Sequence, residues 1–314
     1  MSMVHMGISF FVELIFLILE FLKVMFWTVF YFIFSPTEKY VRNEIVLITG
    51  SGKGLGRALA IEFAKRGSIL VLIDIQDTEN SKTVELVKTT GLNSKRINAY
   101  HFILSRSREE IREVCECIRR DVGEVTIIIN NAGIQAFRSF MECKEDEFIS
   151  TMRVNIFASY WFLREFLPSM LSRNHGHIVS VASSAGLFGF CHMSDNCTSK
   201  FALVGMMESL DHELTLAGYD GICTTLVYPA SINTTLYAKS RHLFNYLTTP
   251  LPPQFVAKRI MHAILVNQKN VCIPRVLYLL SVLKSILPSK AFMLIANFVL
   301  QPSRPNLEVN LNTF

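Results

Sequence analysis

The sequence predicts an α/β fold: a doubly wound parallel sheet in a single domain, with a hydrophobic helix ahead of it. Three observations predict it. From residue 44 onward, short β-branched runs alternate with stretches of helical period, the pattern of a parallel sheet covered by helices on both faces. The first run closes on a glycine loop, TGSGKGLG at residues 49–56, that leads straight into a helix. Before both stands GISFFVELIFLILEFLKVMFWTVFYFIF, residues 7–34, an apolar run long enough for a bilayer.

That apolar run carries Glu13, Glu20 and Lys23. On a helix Glu13 and Glu20 share a face, and Lys23 can pair with Glu20. Residues 1–36 therefore read as a membrane anchor, tilted through the bilayer or lying in its interface. A buried helix or dimer seam is the alternative. No Lys or Arg precedes the run, while Lys39 and Arg42 follow it. The positive-inside rule then puts the bulk of the chain on the cytosolic side. The basic start and small-residue cleavage site of a secretory signal are absent.

Ser35-Pro36-Thr37-Glu38 ends the run, and the domain is expected over residues 37–275. EIVLITG, residues 44–50, is the first strand, and residues 57–66 continue the helix after the loop. Gly50 allows a tight turn, while Gly54 and Gly56 let backbone approach a pyrophosphate at the helix N-terminus. Thr49, Ser51, Lys53 and Leu55 complete that cofactor-facing loop. The second strand, residues 68–74, ends in Asp74. A carboxylate there accepts from both hydroxyls of an adenosine ribose and repels a 2′-phosphate, which favours NAD. Lys53, in the loop, keeps NADP open as the alternative.

Residues 77–91 read as a helix, 97–104 as the third strand and 107–122 as an amphipathic helix opened by a Ser107/Glu110 capping box. The fourth strand, 125–129, runs into Asn130-Asn131-Ala132-Gly133. Asparagine amides there can hold strand ends, with Gly133 leaving room on the adenosine side. Residues 143–171 are helical and contain Asn155. The fifth strand, 177–182, delivers Ser183, with His177 read as a strand-start residue. A helix from about Ser194 carries Asn196 and Lys200, whose i, i+4 spacing turns both to one small volume. The sixth strand is 221–227, followed by YPASINTT with Pro229 and Thr234. A polar loop over 236–252 suits a substrate lid. A helix over 253–265 and a last strand over 271–274 close the domain.

The tail is apolar again in VLYLLSVLKSIL (276–287) and AFMLIANFVL (291–300), each too short to span a bilayer. These read as membrane-facing helices around a substrate entrance, or as packing helices. Residues 301–314 are expected to be disordered. Half of the 314 residues are hydrophobic and only 18% are charged, greasier than an ordinary soluble domain. The net charge of +5 fits a surface facing anionic headgroups, and the chain lacks the basic, aromatic-interleaved runs of a nucleic-acid binder. Seven cysteines without CxxC spacing argue for free thiols in a reducing compartment and against a metal site. Asn196-Cys197-Thr198 and Asn233-Thr234-Thr235 match a glycosylation pattern that a cytosol-facing domain would not use.

On TGSGKGLG, NNAG, Asn155 in RVNIFASYWF, and Ser183 with Lys200 seventeen residues on, the chain resembles the short-chain dehydrogenase/reductase family over roughly residues 44–275. HIVSVASSAGLFG, SKFALVG and the two apolar extensions look most like its membrane-associated branch of retinol and 17β-hydroxysteroid dehydrogenases, of the epidermal retinal dehydrogenase type. The resemblance implies a Rossmann-type fold and NAD or NADP held by the glycine loop, Asp74, Asn131, Ala132, Gly133, Lys200, Pro229 and Thr234. It implies an apolar alcohol or ketone as substrate, a retinoid or steroid. It also implies a site on the endoplasmic reticulum membrane or a lipid droplet, and a homodimer or a heterodimer with a related dehydrogenase. Ser183 would orient the substrate oxygen. Lys200 would bind the nicotinamide ribose. Asn155 would open its helix and position a water linked to the lysine.

Two positions depart from the family pattern. Its catalytic tyrosine is here Asn196, and its adenine-binding aspartate after the third strand is Ile103. A carboxamide donates hydrogen bonds but exchanges no proton at neutral pH, and general acid–base catalysis is worth ~10²–10⁴-fold. Stand-ins are His192, Asp195, or Lys200 acting through water. Two readings follow: an oxidoreductase with weakened turnover, or a non-catalytic relative that keeps dinucleotide or lipid binding or partners an active homologue.

Overall fold

The computed structural model describes residues 3–34, 36–90, 96–104, 107–233 and 250–300. The chain divides into two compact units, Met1–Lys39 and Tyr40–Phe314.

The first unit is a single helix, α1 (Met3–Ile33). Lys23 pairs with Glu20 at 3.2 Å across one turn. Toward its end the rings of Phe26, Trp27, Phe30, Tyr31 and Phe34 form a ladder, with Phe30 and Phe34 4.8 Å apart. Among the described residues no helix is long and apolar enough to cross a membrane. The spanning form of the expected anchor therefore has no support here, because Glu13, Glu20 and Lys23 interrupt the apolar stretch.

The second unit is built on seven parallel strands: β1 (Ile45–Thr49), β2 (Ile69–Asp74), β3 (Ile97–His101), β4 (Ile127–Asn130), β5 (Gly176–Val181), β6 (Ile222–Pro229) and β7 (Asn270–Ile273). Their spatial order is β3-β2-β1-β4-β5-β6-β7. The order reverses between β1 and β4, and the crevice beyond the strand ends at such a switch point is where ligands bind in open α/β sheets.

Successive β-residues point to opposite faces, so each strand feeds two cores. Val46, Ile48, Leu70, Leu72 and Ile129 meet Leu59 and Phe63 of α2 (Gly54–Ala64) and Ile260 and Ile264 of α8 (Pro253–Leu265). Leu47, Val71, Ile128 and Ile178 meet the other face. That face is covered by α4 (Arg108–Asp121), α6 (Ala158–Arg173) and α7 (Ser194–Leu216), with Phe162 and Phe166 fully buried. Helix α3 (Asp77–Thr90) packs beside α2. Two C-terminal helices, α9 (Val276–Ile286) and α10 (Ser289–Leu300), follow β7.

Two expectations change. The third strand ends at His101: Phe102 N–H donates to Asp74 O at 3.0 Å, and the chain then leaves the sheet. Ile103 thus lies past the strand end. The helical region over 143–171 is also not one helix. It is α5 (Glu145–Met152), a π-helical turn (Arg153–Phe157) and α6, with Asn155 at the centre of the π turn. Ser107 caps α4 as expected, accepting from Glu110 N at 3.3 Å. Thr234, residues 236–249 of the expected lid and the tail over 301–314 lie outside the described residues.

Candidate active site

At the switch point, Gly50 (φ 69°) and Gly54 (φ 54°) take left-handed backbone that favours glycine. Gly56 packs tightly against the same loop. A Cβ there would sit 2.0 Å from Gly50 O and 2.8 Å from Asn131 Nδ2, so this glycine lets α2 close on the strand ends. The turn after β4 is sewn to the same loop. Thr49 Oγ1 accepts the N–H groups of Asn131 and Ala132, both at 3.1 Å, and Asn131 Nδ2 donates to Thr49 O at 2.9 Å and Gly50 O at 3.2 Å.

Asp74 ends β2 and turns back to the loop. Its Oδ2 accepts Gly52 N–H at 2.7 Å, and its Oδ1 accepts Gln76 N–H at 2.8 Å. Helix α3 supports the loop from below. Buried Ser51 Oγ donates to Asn80 Oδ1 at 2.8 Å, and Thr83 Oγ1 donates to Ser51 O at 3.0 Å. Arg57 bonds Gly52 O, Thr83 Oγ1 and Glu79, the last at 2.9 Å. Lys53 is exposed at the start of α2. Gly52, Arg57, Glu79, Asn80 and Thr83 were not singled out from the sequence. Gly52 was visible there as the unused glycine of the loop. The other four show no local signal, since only the fold brings α3 under the loop.

The second cluster forms between β5, α7 and the π turn. Ser183 follows β5 with φ 155° and ψ 165°, a region L-residues rarely occupy and one associated with functional sites. Its Oγ accepts Ala185 N–H at 3.1 Å, which leaves its own hydrogen to donate. Lys200 is buried, and its Nζ donates to Val181 O at 2.9 Å. Among the described residues no carboxylate pairs with it, and burial pushes its pKa down to about 8. Asn155 is held by Ile134 and donates to Ser199 Oγ at 2.9 Å. Gly133 lies against this cluster: a Cβ there would be 3.5 Å from both Asn155 Oδ1 and Lys200 Nζ.

Asn196 is buried on the first turn of α7. Its Nδ2 donates to Gln135 Oε1 at 2.9 Å, and its Oδ1 faces Asn155 Nδ2 at 3.4 Å. The structure thus links Asn196 to Asn155, sets Asn155 and Lys200 both against Gly133, and brings in Gln135, which the sequence did not flag. Of the stand-in proton donors, Asp195 is committed elsewhere, accepting Ala136 N–H at 2.8 Å and Thr151 Oγ1–H at 2.9 Å. His192 lies near Glu142, whose carboxyl is held low first by hydrogen bonds from Ser139. Pro229 ends β6, paired with Ile273 of β7. Beyond it Ile232 and Leu251 bridge the two ends of the 234–249 segment.

A parallel sheet with a glycine loop at its switch point, and a Ser–Lys–Asn cluster beyond it, defines a short-chain dehydrogenase scaffold. Residues 44–243 match the short chain dehydrogenase family, and the chain belongs to it. It is similar to retinol dehydrogenase 10 of Xenopus tropicalis, 37% identical over 313 residues, covering 90% of this chain and 92% of that protein. It is also similar to epidermal retinol dehydrogenase 2 of Mus musculus, 41% identical over 267 residues, covering 85% of each. These relatives put it in the retinol dehydrogenase branch. Among solved structures, a short chain dehydrogenase/reductase from Burkholderia phymatum in complex with NAD superposes with a TM-score of 0.70 at 23% identity, over 85% of this chain and 99% of that one. A metagenomic short-chain oxidoreductase in complex with NADP gives 0.61 at 22% identity, over 74% and 97%. These two share the fold.

Proposed function

We propose that the chain binds NAD and acts on an apolar alcohol or ketone of the retinoid or steroid class, with proton transfer weakened by Asn196. The observation that carries this reading is the joined pair of clusters: a glycine loop clamped by Asp74, and Ser183, Lys200 and Asn155 gathered beyond it. The residues fit a dinucleotide. Gly50 and Gly54 give open backbone at the start of α2, where N–H groups meet a pyrophosphate. Asp74 offers a carboxylate to a ribose and repels a 2′-phosphate, so NAD is preferred over NADP. Bound there, the nicotinamide would supply the hydride chemistry.

Ser183 then donates to the substrate oxygen, and Lys200 donates near Val181 and Gly133. Asn196 donates a hydrogen bond but is neither an acid nor a base near neutral pH, so turnover falls by ~10²–10⁴-fold against a tyrosine. With its pKa near 8, Lys200 is the nearest group able to take a proton. The same clusters support a second reading, a relative that binds dinucleotide or lipid without turnover, alone or beside an active homologue.

The C-terminal helices favour a membrane surface as the source of the apolar ligand. Lys284 donates to Leu187 O at 2.6 Å and Phe292 stacks on Phe188 at 5.8 Å, so α9 and α10 cover the loop that follows Ser183. Leu279, Val282, Ile286, Met293 and Leu294 are exposed on them. Together with α1 they fit an interfacial attachment at the endoplasmic reticulum or a lipid droplet, with the domain in the cytosol. Exposed Ile149, Phe157 and Tyr160 fit pairing with a second copy or a related dehydrogenase.

The deciding experiment is retinol oxidation with NAD in membranes, wild type beside Asn196→Tyr. A silent wild type and an active variant support an intact site without its proton donor. Equal rates mean another group carries the proton. Silence in both, with NADH still bound, removes the retinoid reading.

A further inference from the structure

Ile134 orients a chain of three amides. Its N–H donates to Asn155 Oδ1 at 2.8 Å, and its carbonyl accepts from Asn155 Nδ2 at 3.0 Å. Two backbone bonds therefore fix which end of the Asn155 amide is oxygen. Asn155 Nδ2, which also donates to Ser199 Oγ at 2.9 Å, then turns a donor face to Asn196, whose Oδ1 shares it at 3.4 Å. Asn196 Nδ2 is left to donate to Gln135 Oε1 at 2.9 Å. The third amide is oriented in turn. Reversing any one of the three would set donor against donor or acceptor against acceptor.

The chain ends on Gln135 Nε2, a buried donor without an acceptor among the described residues. Buried polar groups are nearly always partnered, so an orphan of this kind marks a place for a water or a ligand. Gln135 stands two residues beyond Gly133, which lies against Lys200 and Asn155. A phenol at position 196 would carry its donor further out than a carboxamide can. Gln135, held by Asn196, makes up that reach.

We infer that Gln135, through Nε2, binds the substrate oxygen, and that the site takes an apolar aldehyde or ketone in preference to the matching alcohol. This rests on the apolar alcohol/ketone reading given above. A carbonyl oxygen carries lone pairs and no hydrogen, so it satisfies two donors, Gln135 Nε2 and the Ser183 hydroxyl. An alcohol brings a hydrogen of its own that needs an acceptor. The nearby amide oxygens each already accept one hydrogen bond, Gln135 Oε1 from Asn196, Asn196 Oδ1 from Asn155 and Asn155 Oδ1 from Ile134, so the added hydrogen must compete for a second lone pair.

The test uses the full chain in phospholipid nanodiscs, with retinaldehyde titrated in the presence of NAD and retinol in the presence of NADH, so that neither pair turns over. Dissociation constants come from ligand absorbance after equilibrium separation, with the melting temperature as the folding control. Wild type should bind the aldehyde about 10-fold more tightly than the alcohol, as expected for one buried hydrogen bond. Gln135→Leu should lose that preference. Gln135→Glu, nearly isosteric but an acceptor when ionised, should shift it toward the alcohol, and it decides the matter where Gln135→Leu does not fold. An aldehyde preference that survives both substitutions assigns the orphan donor to a water and overturns the inference. Wild type that binds both ligands equally overturns it as well while leaving the substrate class standing. Wild type that binds NADH but neither ligand overturns both.

Discussion

Asp74 Oδ2 accepts the backbone N–H of Gly52 at 2.7 Å, across from the end of one strand to the glycine loop of another. The loop is thereby shaped before any ribose reaches it. A Cβ on Gly52 would lie 2.9 Å from Asp74 Cγ and Oδ2. Gly52→Ala should therefore push the carboxylate off the loop and weaken NADH binding by roughly 10–100-fold, the worth of a charge-assisted hydrogen bond. Titration of NADH fluorescence measures this, and unchanged affinity would show that the clamp contributes nothing to the cofactor.

Arg57 stands beside the same loop, where a guanidinium is a natural receiver for a 2′-phosphate. It is occupied instead by Thr83 Oγ1, Gly52 O and Glu79 Oε2. Asp74→Ser combined with Glu79→Gln should remove the repelling charge and release Arg57. The expected result is a rise of at least 10-fold in the NADPH-to-NADH affinity ratio, larger than Asp74→Ser alone gives. Equal ratios for the single and double variants would mean Arg57 serves only as a strut.

Asn196→Tyr must find room that the Gln135 amide now fills at 2.9 Å. Opening that space with Gln135→Ala should raise the turnover of Asn196→Tyr further, by about the few-fold expected when an overpacked side chain regains a low-energy rotamer. Steady-state NADH production by the single and double variants tests it. A double variant slower than Asn196→Tyr would show that the tyrosine needs Gln135 as a neighbour.

Much of this arrangement was legible in the sequence, and the reasons are physical. Central strands buried on both faces read as continuous β-branched runs, while β3 at the sheet edge is half-exposed; all seven were placed to within a few residues. Ser183, Asn196 and Lys200 were legible because strand-to-helix spacing carries them to one place. Gln135 was not. Its significance lies in an orientation passed from Ile134 through Asn155 and Asn196, across sixty-one residues of chain. Residues 143–171 read as a long helical region, and the π turn around Asn155 falls where the family resemblance implied a local opening. Gly56 and Gly133 were found as glycines, but their closeness to Gly50 O and to Asn155 and Lys200 was not legible, because a sequence shows that a Cβ is missing and not what it would have met.

Asp195 lies next to Asn196 yet serves the fold. It holds Ala136 N–H and Thr151 Oγ1–H in a buried setting, and so fixes the loop that carries Gln135. Asp195→Ala leaves the Ala136 N–H unmatched, while Thr151 Oγ1–H falls back on Glu147 O at 3.0 Å, and should cost about 1–3 kcal/mol. Urea denaturation measures that loss. Asp195→Asn, which keeps one acceptor oxygen, should recover part of it. Were Asp195 instead the substitute proton donor, Asp195→Asn would abolish residual turnover while leaving the denaturation midpoint near that of wild type.

Lys200 gives the pH dependence its sign. Burial lowers its pKa from the ordinary 10.5 to about 8, so the folded chain releases this proton before the unfolded chain does. Below pH 8 both states are protonated, and the folded chain bears the full cost of a buried ammonium. Between pH 8 and 10.5 the unfolded state holds more protons, so this residue's contribution to stability rises with pH. Above 10.5 both states are neutral and the cost is gone. The span corresponds to about 3 kcal/mol, since each unit of pKa is worth about 1.4 kcal/mol. Lys200→Met should therefore be the more stable chain at pH 7, with the gap closing by pH 10.5 in denaturation of the cofactor-free protein. A constant gap would mean that the buried lysine keeps its ordinary pKa and stays charged in the folded state just as in the unfolded chain. The same titration bears on the chemistry. If Lys200 takes the proton that Asn196 cannot, alcohol oxidation by the wild type should climb through pH 8 and level off above it. In Asn196→Tyr that dependence should be replaced by the tyrosine's own. A wild-type rate flat across pH 7–9 would remove Lys200 as the base.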